Sequence, residues 1–281
     1  MQRFVLPVAF LLLAIVAVLI FGPQLGISDT WNAVITVFAG FAFVLVHGSA
    51  ALGWRNLLTF LLITIVISFF MEALGVATGW VFGHYHYTDA LGFKLLGVPP
   101  LIQFAYVAMG YASLMMARII MGVEGKSPTR WSMLAVCVVG TFIMVSWDVA
   151  MDPYQSTVGG DWIWRDGGPY FGIGLHNYAG WFVTVFSFMF LYQLYASFYA
   201  EQPSAALAQS RLFWSQPVLY YAAIALSIIL VPWVGGVSLP YASPGNYSGT
   251  LDSLVNSLTV IAFFGMGTPV AIALAKLITK V

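Results

Sequence analysis

Residues 145–181 read VSWDVAMDPYQSTVGGDWIWRDGGPYFGIGLHNYAGW, a stretch that begins inside one apolar run and ends inside the next. Four of the ten acidic residues of the chain lie in it: Asp148, Asp152, Asp161 and Asp166. A smaller polar cluster precedes it at 71–89, in MEALGVATGWVFGHYHYTD. Because only 7% of the chain is charged, we expect these two clusters to form one site at the edge of a membrane.

The composition of the chain is that of an integral membrane protein. Of its 281 residues, 61% are hydrophobic, and the mean hydropathy is +0.92; a soluble domain is about half apolar and about a quarter charged. The net charge of zero argues against nucleic-acid binding and against a polybasic lipid anchor. A single cysteine, Cys137, leaves no disulfide framework and no cysteine-based metal site.

Eight apolar runs are close to the length of about 20 residues that a membrane-spanning helix needs. They lie at 4–22, 31–53, 57–80, 98–121, 131–152, 177–200, 216–236 and 252–277. The sequence therefore predicts an all-α, polytopic membrane helical bundle of about eight transmembrane helices, forming a single domain over 1–281. The first run is expected to be a retained helix, because no small-residue cleavage motif follows it. No period of repetition is visible.

The basic residues predict the orientation in the membrane, since cytoplasmic segments carry an excess of Lys and Arg. With the N-terminus inside, the outer segments hold only Lys94 and Arg165 of the ten basic residues. The inner segments hold the others: Arg3, Arg55, Arg118, Lys126, Arg130, Arg211, Lys276 and Lys280. Both termini are thus expected to be cytoplasmic, with the polar loops 81–97 and 153–176 on the opposite face.

Glu72 is the acid that lies deepest in an apolar run. It shares one face of the predicted third helix with Ser68, Gly75 and Gly79, and small residues let a neighbouring helix approach closely. Glu72 is therefore expected to face protein. An acid inside a membrane indicates a functional site; the alternative is a structural hydrogen bond to a neighbouring helix.

Asp148 and Asp152 are four residues apart, so their carboxyl groups lie one above the other on the fifth helix. Two carboxylates this close repel each other, and one of them should hold its proton. Pro153 is expected to end the helix. The alternative is that both are merely polar packing or interfacial groups. The DxxxD spacing is also found in magnesium-diphosphate sites of prenyltransferases, but only one such motif is present.

Aromatic and polar residues around the acids are candidates for contact with an apolar ligand, although aromatic residues also form interfacial belts in membrane proteins. The candidate substrate-binding residues are Tyr85, Tyr87, Gln103, Trp147, Trp162, Trp164, Tyr170 and Asn177. His84 and His86 match no strong metal motif, so no metal is predicted. His47, among small residues, is interpreted as a packing element.

Three segments together resemble a known family: EALGVATGWVFGHYHYTDALGFKLLGVP, then WDVAMDPYQSTVGGDWIW, then GGPYFGIGLHNYAGW. They are similar to the integral-membrane carotenoid hydratases, carotenoid biosynthesis proteins of the CruF type. The resemblance covers residues 68–182. It implies addition of water across the terminal 1,2 double bond of an acyclic carotenoid such as lycopene, giving a tertiary alcohol. Membrane lycopene cyclases share a similar acid-rich helix end and are the second interpretation.

The residues fit this chemistry. Protonating an alkene needs a carboxylic acid kept neutral at the working pH, and burial favours the neutral form. Glu72 is the preferred proton donor on depth, with Asp148 or Asp152 as the alternative. Aromatic faces would stabilise the cation, and an ionised aspartate or His176 would position the attacking water. Hydration is redox-neutral, so no cofactor is expected.

The surroundings of such an enzyme follow from the same chemistry. The carotenoid would come from the lipid of a bacterial or archaeal cell membrane. A proton-coupled transporter is the non-enzymatic alternative, because transporters also use intramembrane acids. Such a transporter should show internal repeats and polar residues through the full depth of the membrane.

Overall fold

The computed structural model describes residues 2–22, 25–126, 129–199, 203–234 and 247–279. Its helices are α1 (Gln2–Phe21), α2 (Asp29–Leu52), α3 (Trp54–Thr78), α4 (Pro100–Ile120), α5 (Arg130–Tyr154), α6 (Leu175–Tyr199), the short α7 (Ala205–Ala208), α8 (Arg211–Val234), α9 (Leu251–Ile261) and α10 (Gly267–Thr279). Two π-helical turns, Gln155–Gly159 and Ala262–Met266, follow α5 and α9. Two three-residue strands, β1 (Tyr85–Tyr87) and β2 (Trp162–Trp164), complete the described elements.

The prediction of an all-α polytopic bundle is confirmed. Seven helical segments of the described chain are long and apolar enough to cross a membrane. They are Trp31–Leu52, Trp54–Thr78, Pro100–Ile120, Arg130–Gly159, Leu175–Tyr199, Arg211–Leu230 and Leu251–Thr279. The apolar part of α1, Pro7–Leu19, is shorter, so the eighth span and the cytoplasmic termini stay predictions. The ends of two predicted runs, at 200 and 235–236, and Lys280 lie outside the described residues.

Helix α4 lies at the centre of the bundle. It packs against α2, α3, α5, α8 and α10, and most of its length is buried, including the large side chains of Tyr106 and Tyr111. His47 of α2 is also fully buried, with Nδ1 2.6 Å from the Tyr111 hydroxyl and Nε2 3.1 Å from the Phe213 carbonyl oxygen. The interpretation of His47 as a packing element is confirmed.

The expectation that Pro153 ends the fifth helix is wrong. The chain stays helical through Tyr154 and continues as a π-helical turn to Gly159. Proline lacks the N–H that would bond to the carbonyl four residues earlier, which belongs to Val149. The Tyr170 hydroxyl donates to that carbonyl at 2.7 Å instead. A side chain from the following loop thus replaces the missing backbone hydrogen bond, and the chain stays helical beyond the proline.

The two polar loops meet on one side of the bundle. Strand β1 pairs antiparallel with β2, with Tyr85 opposite Trp164, His86 opposite Ile163 and Tyr87 opposite Trp162. Because β1 follows α3 and β2 follows α5, these two helices end on the same side. This confirms that both acid-bearing loops share one face, which the charge asymmetry predicts to be the outer one. We refer to the paired strands as the strand lid.

The segments α3–β1–α4 and α5–β2–α6 repeat one motif. Helices α3 and α5 both have 25 residues, and each leads through a strand of the lid to the next helix. Helix α4 also packs on α5, and α3 on α6, so the four helices form a closed ring. The lid is symmetric about the His86–Ile163 pair. The matching element order, the ring contacts and the symmetric strand pairing indicate an approximate two-fold axis through that pair.

A matched pair of tight turns extends the repeat. One turn is closed by the Leu95–Val98 bridge and the other by the Tyr170–Ile173 bridge. Each has a non-glycine residue at positive φ followed by a glycine at positive φ: Leu96 (50°) with Gly97 (82°), and Phe171 (51°) with Gly172 (84°). The same unusual backbone thus recurs just before α4 and just before α6, although the side chains differ and hide the repeat in the sequence.

Candidate active site

A cavity of about 290 Å³ lies against the strand lid and is lined both by the ring helices and by residues of α1, α2, α8 and α9. Asp161 of the second loop lines it, and so do three acids from two helices: Glu72 from α3, and Asp148 and Asp152 from α5. All three are almost fully buried, with exposed fractions of 3%, 1% and 1%. The cavity also extends between α2, α4 and α8, where its lining is mostly apolar. Three carboxyl groups are therefore gathered at one end of a pocket that is otherwise suited to an apolar ligand.

Glu72 is surrounded by tyrosine hydroxyl groups. Tyr87 and Tyr106 donate to its carboxyl oxygens at 2.9 and 2.8 Å, and Tyr85 donates at a still closer approach. Tyr85 and Tyr87 alternate along β1, so both project from the same face of the lid. Burial, followed by the charge of Glu72, raises the pKa of both lid tyrosines well above the ordinary value. They therefore remain protonated donors at physiological pH.

Asp152 is held by N–H donors. Trp162 Nε1 lies 2.7 Å from its Oδ1 and Trp164 Nε1 lies 3.3 Å from the same oxygen, while Asn177 Nδ2 lies 3.0 Å from Oδ2. Indole and amide N–H groups donate but cannot take up a proton. Hydrogen bonds of this kind favour the ionised form of a carboxyl group. These donors offset part of the cost of burying a negative charge on Asp152.

Asp148 has the fewest hydrogen bonds of the three. Within the described part of the chain, its side chain accepts only one, from Asn177 Nδ2 at 3.3 Å. It lies one helical turn from Asp152 and is just as deeply buried. Since little around it supports an ionised carboxylate, Asp148 is the member of the group best suited to hold a proton.

Aromatic rings wall the cavity beside the acids. The rings of Tyr106 and Trp181 are stacked, with centroids 4.7 Å apart and planes inclined by 5°. Trp147 meets Trp181 edge-on at 6.0 Å, and Tyr85 of the lid lies 4.9 Å from Trp164. The faces of such rings attract a cation, by about 2 kcal/mol or more when water is excluded.

Most of the residues predicted from the sequence lie at this cavity. The lining includes Glu72, Asp148, Asp152, Tyr85, Tyr87, Trp147, Trp162, Trp164 and Asn177. Three predicted residues lie elsewhere. Gln103 is buried, is not among the lining residues, and accepts a hydrogen bond from the Ser68 hydroxyl. Tyr170 supports the helix at Pro153, and His176 is exposed and is not among the residues that line the cavity.

Sequence reasoning missed Tyr106, Trp181 and Asp161 as lining residues. Two of them lie one helical turn after a residue that the sequence had predicted to bind substrate. Tyr106 comes three residues after Gln103, and Trp181 comes four residues after Asn177. Residues so spaced share a helix face, and that signal could have identified both.

The histidines of the first loop lie on the outer side of the lid. His84 Nδ1 is 2.7 Å from Asp166 Oδ2, and both side chains are more than half exposed. The hydrogen bond from His84 lowers the pKa of Asp166. Arg165 Nε lies 3.2 Å from His86 Nδ1, and partial burial and then the Arg165 and Lys94 charges lower the pKa of His86. These contacts fasten the two loops together away from the cavity.

Parts of the chain are similar in sequence to known proteins. The model of the family described as "carotenoid biosynthesis protein" matches residues 31–243. A curated relative, bisanhydrobacterioruberin hydratase from Haloarcula japonica, is 31% identical over 121 residues, which are 42% of this chain and 38% of the relative. The match thus spans about two-fifths of that protein's length. No solved structure matches the chain.

Proposed function

The chain belongs to the family of carotenoid biosynthesis proteins, and from that membership we propose that it is an integral-membrane carotenoid hydratase. The reaction is acid-catalysed addition of water across the terminal 1,2 double bond of an acyclic end group, giving a tertiary alcohol. One observation carries the proposal: a buried acid with few hydrogen bonds, Asp148, faces a cavity walled by aromatic rings. The name of the Haloarcula relative supports hydration as the reaction.

Asp148 is proposed as the proton donor. Its carboxyl proton would move to C2 of the end group, and the electron pair of the double bond would form the new C–H bond. The positive charge then falls on C1, which carries three carbon substituents. Its depth in the membrane favours Glu72 as the proton donor. However, Glu72 accepts hydrogen bonds from three tyrosine hydroxyls, which make its carboxyl group a better proton acceptor. We therefore prefer Asp148 as the proton donor.

The aromatic walls would stabilise the cation. Trp147, Trp181 and Tyr106 surround the same space as Asp148, and their ring faces carry partial negative charge. Asp152, held by three N–H donors, would add a fixed negative charge nearby. The volume of about 290 Å³ is at the lower end for small-molecule sites. It suits one end of a long polyene, with the remainder lying along the apolar side of the cavity or in lipid.

Hydration is favoured over cyclisation by the polar atoms at the reacting end. A cyclase must keep water from the cation, whereas a hydratase must hold a water beside it. Three carboxyl groups and Asn177 line this end of the cavity, and the Asn177 carbonyl oxygen Oδ1 is buried with no partner among the described residues. A buried water needs two to four such polar partners, and this end of the cavity offers them.

Pigment analysis tests the proposal. The chain would be expressed alone in a lycopene-producing bacterium, beside an Asp148→Asn variant and an Asp166→Asn control that alters only the outer side of the lid. Mass spectrometry should find a product heavier by one or two waters with the wild type and the control, and none with Asp148→Asn. A product of unchanged mass with shortened conjugation would replace hydration by cyclisation. Unchanged lycopene would overturn hydration of this substrate.

A further inference from the structure

The approximate two-fold axis relates Glu72 to Asp148. Counting from Trp54, the first residue of α3, Glu72 is residue 19; counting from Arg130, the first residue of α5, Asp148 is also residue 19. Both helices have 25 residues, and both acids line the same cavity. The two carboxyl groups therefore belong to equivalent positions of the two repeated segments.

The stacked rings of Tyr106 and Trp181 also occupy equivalent positions in the two halves. Tyr106 is residue 7 of α4 counted from Pro100, and Trp181 is residue 7 of α6 counted from Leu175. Their rings lie face to face at 4.7 Å, so the axis passes between them. A double bond held beside this stack would have Asp148 on one side and Glu72 on the other.

The two strands of the lid present different hydrogen-bond donors to the buried acids. At equivalent places of the lid, β1 presents the tyrosines 85 and 87 and β2 presents the tryptophans 162 and 164. The tyrosines donate O–H groups to Glu72, and the tryptophans donate N–H groups to Asp152. A hydroxyl both donates and accepts, whereas an indole N–H only donates. Of the side chains that the two strands present to these acids, only the tyrosines can therefore accept a proton and pass it on.

From this arrangement we infer that Glu72 is a second catalytic residue, the base that activates the attacking water, with Tyr85, Tyr87 and Tyr106 as its proton relay. The inference rests on the proposed hydration. Addition of water needs an acid at one carbon and a base near the neighbouring carbon, and the two-fold axis supplies one carboxyl group for each. Asp152 has no part in proton transfer in this scheme.

The proton balance of the scheme is closed. Asp148 gives its proton to C2, and C1 becomes cationic. The water oxygen forms a bond to C1 with one of its lone pairs, and one water proton passes to Glu72, directly or through a tyrosine hydroxyl. Exchange with solvent water then takes the proton from Glu72 and returns one to Asp148. The net change is the addition of one water molecule, with no oxidant or reductant.

Deuterium exchange separates the two roles. Purified wild type, Glu72→Gln and Asp148→Asn would each be incubated with lycopene in D₂O, and both the alcohol and the recovered substrate analysed by mass spectrometry. In Glu72→Gln the donor is intact, so the cation still forms but returns to alkene by losing a proton. We expect alcohol formation to fall by about 100-fold or more while deuterium enters the end group of the recovered substrate. Asp148→Asn should give neither alcohol nor deuterium.

The outcomes distinguish this inference from the proposed function. A wild type that forms no alcohol overturns hydration of lycopene, and with it the role of Glu72 in that reaction. A wild type that hydrates, with a Glu72→Gln variant that hydrates equally well, overturns the role of Glu72 alone. Loss of both alcohol and deuterium in a Glu72→Gln protein that keeps the wild-type unfolding temperature makes Glu72 the donor or a structural anion, and also overturns it. The variant Glu72→Asp, which keeps the carboxyl group, should recover part of the hydration if the protein folds.

Discussion

Trp162 Nε1 lies 2.7 Å from Asp152 Oδ1, and this contact joins the strand lid to the end of α5. Trp164 reaches the same oxygen at 3.3 Å, so two residues of one strand converge on one carboxyl group of the preceding helix. The lid is therefore fixed by the buried acids, and its position depends on them. This gives Asp152 a structural task beyond any effect of its charge on the reaction.

Replacing Trp162 should loosen the lid. Trp162→Phe removes the shorter of the two indole hydrogen bonds to a buried carboxylate, and loss of such a bond lowers the free energy of unfolding by about 1–3 kcal/mol. Thermal unfolding in detergent measures this change. Trp80→Phe is the matched control, because Trp80 is 79% exposed and should tolerate the change. Equal unfolding temperatures for the two variants would contradict the role assigned to Trp162.

Gly180 should be required for the approach of α6 to the first loop. A Cβ placed there would collide with the backbone carbonyl of Val81 and with the ring of Phe82. Gly180→Ala should therefore destabilise the protein by about 1–3 kcal/mol, as other overpacked sites do. Gly265→Ala is the control, because the nearest atom to its added Cβ is 4.0 Å away. A Gly180→Ala protein as stable as this control would show that the close contact is not needed.

Thiol labelling tests the predicted orientation. A cysteine should be placed where a reagent can reach it, and the Asp89 side chain is 97% exposed, whereas Ser156 and Thr157 of the second loop are buried. In a Cys137→Ala background, Asp89→Cys should react with an impermeant reagent applied to intact cells, and Lys126→Cys should react only after lysis. The reverse pattern would invert the topology.

The lengths of the apolar runs predicted the membrane spans, and helical spacing identified Glu72, Asp148 and Asp152 as site residues. Both signals are local properties of the sequence, because they depend on the apolar character and the periodicity of one segment at a time. The direction of each side chain depends on packing. Asn177 and His176 are neighbours, yet one bonds to Asp152 and the other is exposed, since successive residues of a helix point about 100° apart.

The strand lid could not be predicted, because three-residue strands are held by pairing with a distant segment rather than by their own propensity. The repeat was hidden for a related reason. The two halves share backbone geometry and helix length, but tyrosines in one half stand where tryptophans stand in the other. The prediction that the fifth helix ends at Pro153 was wrong because the hydroxyl of Tyr170, 17 residues later, donates to the Val149 carbonyl oxygen. That carbonyl is the one left without a backbone partner by the proline.

Chelation should leave hydration unchanged. The oxygens of Glu72 and Asp152 are occupied by tyrosine, indole and amide donors, which is an arrangement for holding anions rather than for coordinating a cation. We expect the same rate of alcohol formation in purified protein before and after treatment with EDTA. A rate that falls with EDTA and recovers on adding Mg²⁺ would favour the prenyltransferase alternative.

The two buried aspartates of α5 should differ in what their loss does, and this difference is the most direct test of the site. Asp148→Asn removes the proposed donor and should lower turnover by about 100-fold or more with little change in stability, because Asp148 accepts one hydrogen bond of 3.3 Å.

Asp152→Asn should lower both turnover and the unfolding temperature, since an amide replaces an anion that receives three N–H bonds, and its own NH₂ group would face those donors. The exposed Asp166→Asn should change turnover little. Turnover is measured as alcohol formed per purified protein, beside a thermal melt of each variant. An Asp148→Asn protein with wild-type turnover would remove Asp148 from the mechanism, and an Asp152→Asn protein with wild-type stability would show that the lid is held by other contacts.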